Sequence, residues 1–179
     1  MSADSPKSRD SVTKTAAPVD LIRKRQRMIS MRQVIGSNDN YCPGYYYYDS
    51  KLAITPEELQ DLYRFTRWGR SRSLEQIQKM LDGTSMCFSV RYDGKLVAFC
   101  RILTDFVFRG SLWDILVHPD HQGKGLGSGL LRYALTHPAI RQVPVIVTYT
   151  SELIDFMCKL GFESRDGLLI LQRRPIEYS

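Results

Sequence analysis

Val117-His118-Pro119-Asp120-His121-Gln122-Gly123-Lys124-Gly125-Leu126-Gly127-Ser128 is the stretch that decides the fold. Before it runs an apolar, strand-like segment, Leu112-Trp113-Asp114-Ile115-Leu116-Val117. After it, Leu130, Leu131, Tyr133, Ala134 and Leu135 continue as a helix. A strand therefore enters a turn of glycines and a helix leaves it. Glycine lets a ligand approach the main chain closely, and a helix start presents unpaired N–H groups with partial positive charge. The natural guest is a phosphate or pyrophosphate. Two common phosphate motifs fail here. A dinucleotide fingerprint counted from Gly123 needs glycine where Ser128 stands, and a P-loop built on Gly123-Lys124 needs a glycine at His118 and a hydroxyl at Gly125. What remains is Gln-x-x-Gly-x-Gly behind a strand.

Outward from the turn, the hydrophobic period alternates between helix and strand. Tyr45–Tyr48 reads as a first strand, with alternation burying about half of its rings, and the folded part starts there. Thr55-Pro56-Glu57-Glu58 opens a helix carrying Leu59, Leu62, Tyr63 and Phe65/Thr66. Ser73 opens a second, with Leu74, Ile77, Met80 and Leu81 on one face and a stop at Asp82-Gly83. Met86–Tyr92 and Lys95–Leu103 form a hairpin about Asp93-Gly94, a type I′ signal, and Gly110–Val117 is the next strand. Val143–Thr148 is a strand, and Ser151–Leu160 a helix closed by Gly161. Phe162–Glu163 and Leu168–Leu171 are expected to supply the last strands. The order predicts an α+β fold with a mixed α/β sheet in one domain, residues 41–179.

Residues 1–40 are expected to be a disordered basic tail, with a short helix around Asp20–Met28. The formal charge is +6, from 25 Lys+Arg against 19 Asp+Glu. Residues 1–32 contribute eight basic side chains and three acids, and everything downstream contributes 17 and 16. The basicity belongs to the tail, so a nucleic-acid-binding domain is not favoured. The tail's Ser, Thr and Arg content resembles an organelle transit peptide, but Asp4, Asp10 and Asp20 count against it, and a cytoplasmic protein is the expectation. No apolar run spans a bilayer, so no membrane partner is expected. Cys42, Cys87, Cys100 and Cys158 lie far apart without a zinc spacing, and no metal is expected. Cys87 and Cys100 sit in apolar strands, where a buried reduced thiol is the default.

The glycine turn, its preceding strand and the terminal Asp155-Phe156-Met157-Cys158-Lys159-Leu160-Gly161-Phe162 together resemble the acetyl-CoA site of the GNAT acyltransferase superfamily, over residues 45–173. A narrower likeness is to plastid and cyanobacterial enzymes of the serotonin N-acetyltransferase type. Their Trp-Asp-Val-Val/Leu-Val-x-Pro-x-x-Gln-Gly-x-Gly-Leu-Gly run is similar to Trp113–Gly127. Their Trp-x-x-Arg resembles Trp68-Gly69-Arg70-Ser71-Arg72, and their Ala-Arg-x-x-x-Asp resembles Cys100-Arg101-Ile102-Leu103-Thr104-Asp105. Their Gly-Met-Phe/Trp ending is absent, and Leu168–Leu171 stands instead.

The resemblance implies a mostly antiparallel twisted sheet flanked by about four helices. It also implies acetyl-CoA as co-substrate and an amine acceptor, either a small molecule such as an arylalkylamine or a protein lysine or N-terminus. A homodimer is compatible with the sequence. Gln122, Gly123, Lys124, Gly125, Leu126, Gly127 and Ser128 would hold the pyrophosphate. A splayed or bulged strand at Ile115, Leu116 and Val117 would offer main-chain groups to the pantetheine arm and the thioester oxygen, and Ser151 would bond the pantetheine. The chemistry needs a deprotonated amine and a stabilised thioester oxygen, and it is helped by a proton for the departing thiolate. Asp114, an acid in an apolar stretch, is either the base or a carboxylate paired to an arginine such as Arg101. Asp105 is an alternative base or amine-binding group. Trp68 and Arg101 would line the acceptor pocket, with a core position the alternative for Trp68. Met157 stands where the family often has a proton-donating tyrosine, so Tyr149, Cys158 or water would take that role. His118 and His121 are read as outward-facing. Two other classes compete with the enzyme: a CoA-binding module without catalysis, and an unrelated phosphate-binding protein.

Overall fold

The computed structural model describes residues 44–150 and 152–164. Five strands form one sheet in chain order, β1 (Tyr45–Tyr48), β2 (Met86–Tyr92), β3 (Lys95–Thr104), β4 (Arg109–Val117) and β5 (Val145–Thr148). The first four pair antiparallel and β5 runs parallel to β4. Four helices flank the sheet: α1 (Pro56–Tyr63), α2 (Leu74–Asp82), α3 (Leu126–Thr136) and α4 (Ile154–Cys158). The predicted mixed sheet with about four helices is the architecture present.

Local chemistry accounts for the helix starts. Thr55 accepts from the Glu58 N–H while the Glu58 carboxylate accepts from the Thr55 N–H, and Ser73 and Gln76 make the same reciprocal pair. Each capping box satisfies donors that the helix itself leaves open, worth about 1 kcal/mol. Asp93 and Gly94 both take positive φ (48° and 73°), as the Asp-Gly hairpin requires.

Two cores lie on opposite faces of the sheet. On one, Phe88, Val90, Cys100, Ile102 and Leu112 meet Leu130, Leu131 and Tyr133 of α3 and Met157 of α4. On the other, Cys87, Leu96, Phe99 and Leu116 meet Leu59, Leu62 and Tyr63 of α1 and Ile77 and Leu81 of α2. Cys87 and Cys100 are free, buried thiols, as the strand pattern implied.

Several boundaries differ from the sequence reading. Helix α1 stops at Tyr63, where the Thr66 N–H and hydroxyl both turn back to the Tyr63 carbonyl, and Phe65 is left exposed. β5 and α4 are shorter than Val143–Thr148 and Ser151–Leu160. Phe162–Glu163 is not a strand: Gly161 adopts φ 90° and the Phe162 N–H closes the end of α4 on the Met157 carbonyl. Tyr45 and Tyr47 pack on the α3 face and Tyr48 on the α1 face, so Tyr46 is the exposed ring of β1. The Asp20–Met28 helix, the Leu168–Leu171 strand and Ser151 lie outside the described residues.

Candidate active site

The site begins with an extra residue in β4. Arg101 faces Trp113 and Phe99 faces Leu116, so Asp114 and Ile115 together oppose the single residue Cys100. That is a β-bulge, and Asp114 sits in it at φ 53°, a left-handed conformation that Asp tolerates better than most residues. The insertion flips the alternation. Leu112, Ile115 and Val117 all face the α3 core, while Leu116 faces the α1 core. The bulged strand anticipated at Ile115–Val117 is present, with its irregular residue at Asp114.

The Asp114 carboxylate is turned toward the α1 side. Its Oδ2 accepts from Arg101 Nε at 2.5 Å, from the Tyr63 hydroxyl at 3.0 Å and from Arg72 Nη1 at 3.3 Å. Side-chain exposure is 5% for Asp114, 13% for Arg101 and 30% for Arg72, so the two guanidiniums supply the partners a buried carboxylate needs. Burial, then the Asp114 charge, pushes the Tyr63 phenol well above its ordinary range, and it stays a donor. Burial pushes the Cys87 thiol up to about 12, and Cys100 is also raised, so neither is a thiolate near neutrality. The arginine-paired carboxylate is present at Oδ2. Oδ1 receives no donor among the described residues.

The α1–α2 connection brings Arg72 to this cluster. Its guanidinium lies 4.6 Å from the Tyr63 ring and 5.0 Å from the Trp68 ring, favourable cation–π contacts. Trp68 is 37% exposed and meets Tyr63 edge-on, so it belongs to the rim of the cluster and not to the core. At Gly69, a Cβ would stand 2.5 Å from the Tyr63 ring, so the chain can pass there only as glycine. Tyr63 and Arg72 were not singled out from sequence as partners of Asp114. Arg72 was within reach, as the last residue of the Trp68–Arg72 segment.

Beyond the bulge, β4 parts from β5. Pairing covers only Arg109–Leu112 with Val145–Thr148, so Ile115–Val117 present an edge that no described strand pairs on that side. The glycine turn stands at the end of this edge. Gly123 and Gly125 take φ 72° and 76°, and a Cβ on either would meet nothing within 4 Å. Gly125 caps α3 without a side-chain bond, and the first α3 hydrogen bond runs from Gly129 to the Gly125 carbonyl. The N–H groups of Leu126, Gly127 and Ser128 precede that bond. Space is open where side chains at Gly123 and Gly125 would stand, whereas a Cβ at Gly127 would meet Phe156 and Val117 at 3.6 Å; free N–H groups at a helix start are the kind of donor set that anions bind.

The side chains of Gln122 and Lys124 fold back onto the turn itself, leaving the expected main-chain role as it stood. Gln122 donates its side-chain amide to the Val117 carbonyl (2.9 Å) and its N–H to Pro119, so it braces the turn. Lys124 Nζ donates to the Asp120 carbonyl (2.8 Å). Asp105 is also placed otherwise: its Oδ1 accepts from the N–H groups of Val107, Phe108 and Arg109, which lowers its pKa and shapes the β3–β4 turn. Four residues along the strand, roughly 13 Å, separate it from Arg101. His118 and His121 join Phe65, Tyr45 and Tyr92 in an aromatic cluster at the sheet's end, with the Tyr45 hydroxyl 2.9 Å from His121 Nδ1. Tyr149 follows β5 where the strands part and is 61% exposed. Met157 is buried in the α3 core. Among the described residues no group of three or more potential ligands could hold a metal, and no helix is long and apolar enough to cross a membrane.

A parted β4–β5 pair ending in an uncapped, glycine-lined helix start is the arrangement that the acyl-CoA N-acyltransferase resemblance led one to expect. The comparisons go one step further: residues 53–162 match the Acetyltransferase (GNAT) family, and the chain belongs to that family. It is 29% identical over 128 residues to an uncharacterized N-acetyltransferase ycf52 of Pyropia yezoensis, covering 68% of this chain and 73% of that one. A ycf52-like relative from Prochlorococcus marinus is 32% identical over 107 residues, 58% of this chain and 57% of its own length. The chloroplastic GCN5-related N-acetyltransferase 2 of Arabidopsis thaliana is 35% identical over 71 residues, 39% of this chain and 28% of that one. Among solved structures, an acetyltransferase of the GNAT family from Xanthomonas campestris pv. campestris shares the fold at TM-score 0.68 and 24% identity, over 78% of this chain and 99% of that one. The protein is an acetyl-CoA-dependent acyltransferase, and the plastid and cyanobacterial likeness read from Trp113–Gly127 agrees with these relatives.

Proposed function

We propose that the protein transfers the acetyl group of acetyl-CoA to a primary amine by direct attack, without an acyl-enzyme. The observation that carries this reading is the pair of positive-φ glycines, Gly123 and Gly125, with open space where side chains would stand, at an uncapped helix start beside the β4 edge that no described strand pairs. The N–H groups from Gly123 to Ser128 take the pyrophosphate. The Ile115–Val117 edge takes the pantetheine arm, and a main-chain N–H there stabilises the thioester oxygen as it gains charge. Asp114 Oδ1, the oxygen left free by the arginines, accepts a hydrogen bond from the amine or from a water that removes its proton. The amine nitrogen bonds to the carbonyl carbon, the C–S bond breaks, and Tyr149 returns a proton to the thiolate. The raised Cys87 and Cys100 thiols support the direct route, since neither is an activated nucleophile.

Residues 1–40 precede the stretch that matches the family, residues 53–162. The chloroplastic names of the Arabidopsis relatives support reading them as an import segment, against the cytoplasmic expectation. Fluorescent fusions with and without the segment distinguish the two. The transfer itself is tested by incubating the purified chain with acetyl-CoA and a panel of arylalkylamines, polyamines, amino acids and lysine peptides, and following free CoA thiol. Amine-dependent release is expected. Tight acetyl-CoA binding with no amine-dependent release across the panel would overturn the reading.

A further inference from the structure

The acceptor side of the sheet carries more positive charge than acetyl transfer calls for. Residues 64–73, between α1 and α2, contain Arg64, Arg67, Arg70 and Arg72 and no acid. Arg72 and Arg101 converge on one oxygen of one carboxylate, which leaves a surplus positive charge among the described residues of a largely buried cluster. Its other titratable members do not offset it, because burial keeps Tyr63 and Cys87 protonated. The acids of the covering helices are engaged or outward-facing: Glu58 holds Arg91, Asp61 holds Arg64, Asp82 takes Gln78, and Glu57 and Glu75 are exposed. Asp105 is occupied by its own turn.

The two guanidiniums also have donors to spare. Arg101 uses Nε on Asp114, and its Nη1 and Nη2 have no partner among the described residues. Arg72 uses Nη1 on Asp114 and on Met80 Sδ, leaving Nε and Nη2. A simple ammonium would meet one carboxylate outnumbered by two cations. An oxyanion would meet planar donor pairs suited to bidentate binding.

We propose that the acceptor is an amine that also carries a carboxylate or phosphate, held by the unspent guanidinium donors of Arg72 and Arg101 beside Asp114. The proposal rests on the acetyl-transfer reading above. The test compares kcat/KM, for the full chain with saturating acetyl-CoA, between matched acceptors: L-tyrosine against tyramine and L-tyrosine methyl ester, and O-phosphoethanolamine against ethanolamine. The ester keeps the substituent without the charge but has a less basic amine, and tyramine keeps the basicity without the substituent, so rates are compared per unprotonated amine from kcat/KM measured across pH. At least one anionic member is expected to exceed its uncharged counterparts by about tenfold or more, the scale of one charge-assisted hydrogen bond. Which pair shows the preference tells carboxylate from phosphate. In Arg72→Gln the ratio should fall toward one, chiefly through KM, while Arg72→Lys retains part of it. Should Arg72→Gln fail to fold, the wild-type ratios alone decide. Uncharged acceptors used as well as or better than anionic ones would overturn the anion site and leave acetyl transfer standing. No turnover with any amine would overturn both.

Discussion

Asp114→Asn isolates the charge of the buried carboxylate. Asparagine has the same shape and tolerates φ 53°, so the bulge keeps its backbone. What changes is the environment of Arg101, whose Nε sits 2.5 Å from Oδ2 in a side chain only 13% exposed. Removing one partner of a buried ion pair costs about 3–5 kcal/mol, mostly because the other charge stays buried. The lower end applies here, since an amide oxygen still accepts one bond and Arg72, at 30% exposure, can turn toward water. A loss of about 3 kcal/mol corresponds to a melting temperature lower by about 6–12 °C. The double variant Asp114→Asn/Arg101→Met supplies the decisive comparison. Removing the stranded cation should restore part of the stability, making the double variant less destabilised than the sum of the singles by about 2–3 kcal/mol. Urea unfolding followed by circular dichroism measures all four corners of the cycle. Single losses that add to within about 0.5 kcal/mol would refute the ion-pair account.

Gly125→Val should reduce acetyl-CoA affinity by about 100-fold or more, read by calorimetry, because its side chain enters an empty cradle; the left-handed backbone adds a strain of roughly 1–2 kcal/mol. Unchanged affinity would move the pyrophosphate elsewhere. Tyr149→Phe should lower kcat by about 100-fold while leaving acetyl-CoA affinity intact; an unchanged kcat would hand the thiolate's proton to water. His121 gives a pH effect with a definite sign. Burial first, then Lys124 and His118, hold its imidazole below the ordinary 6.5. The unfolded chain therefore takes up the proton first as pH falls through that value, and stability declines toward acid. His121→Gln should flatten this part of the melting-temperature profile between about pH 7 and 5, and an identical slope would exclude His121 as its source.

Much of the architecture was legible because its causes are local. Thr55 with Glu58 and Ser73 with Gln76 announce helix starts within four residues, and Asp93-Gly94 announces its own turn. The glycine bend was legible for the same reason, since Gly123 and Gly125 adopt a backbone that few other residues accept. The roles of the polar side chains in that bend were not. Gln122 and Lys124 look like ligand contacts in a string, but each finds a carbonyl of the turn within five residues. Asp105 likewise was drawn to three neighbouring N–H groups that no pattern of residue types displays. Phe162–Glu163 has strand-like composition, but α4 ends by drawing the Phe162 N–H back to Met157.

The bulge at Asp114 is where sequence reading runs out and where the two halves of the site are joined. Strict alternation from Leu112 would aim Asp114 into the apolar α3 core and Ile115 at the opposite face, a costly placement for a carboxylate. One inserted residue removes that conflict. It turns the carboxylate to Tyr63, Arg72 and Arg101, which lie 51, 42 and 13 residues away in the chain, beyond the range of any local motif. The same insertion returns Ile115 and Val117 to the α3 side, just after the last residue that β5 pairs. The Asp114 cluster and the β4 edge, proposed above for acceptor and cofactor, are therefore both set by a single irregularity in β4. Deleting that extra residue should disturb Arg72 binding and acetyl-CoA binding together, whereas substitutions at Arg72 or at Gly125 should affect only one of them.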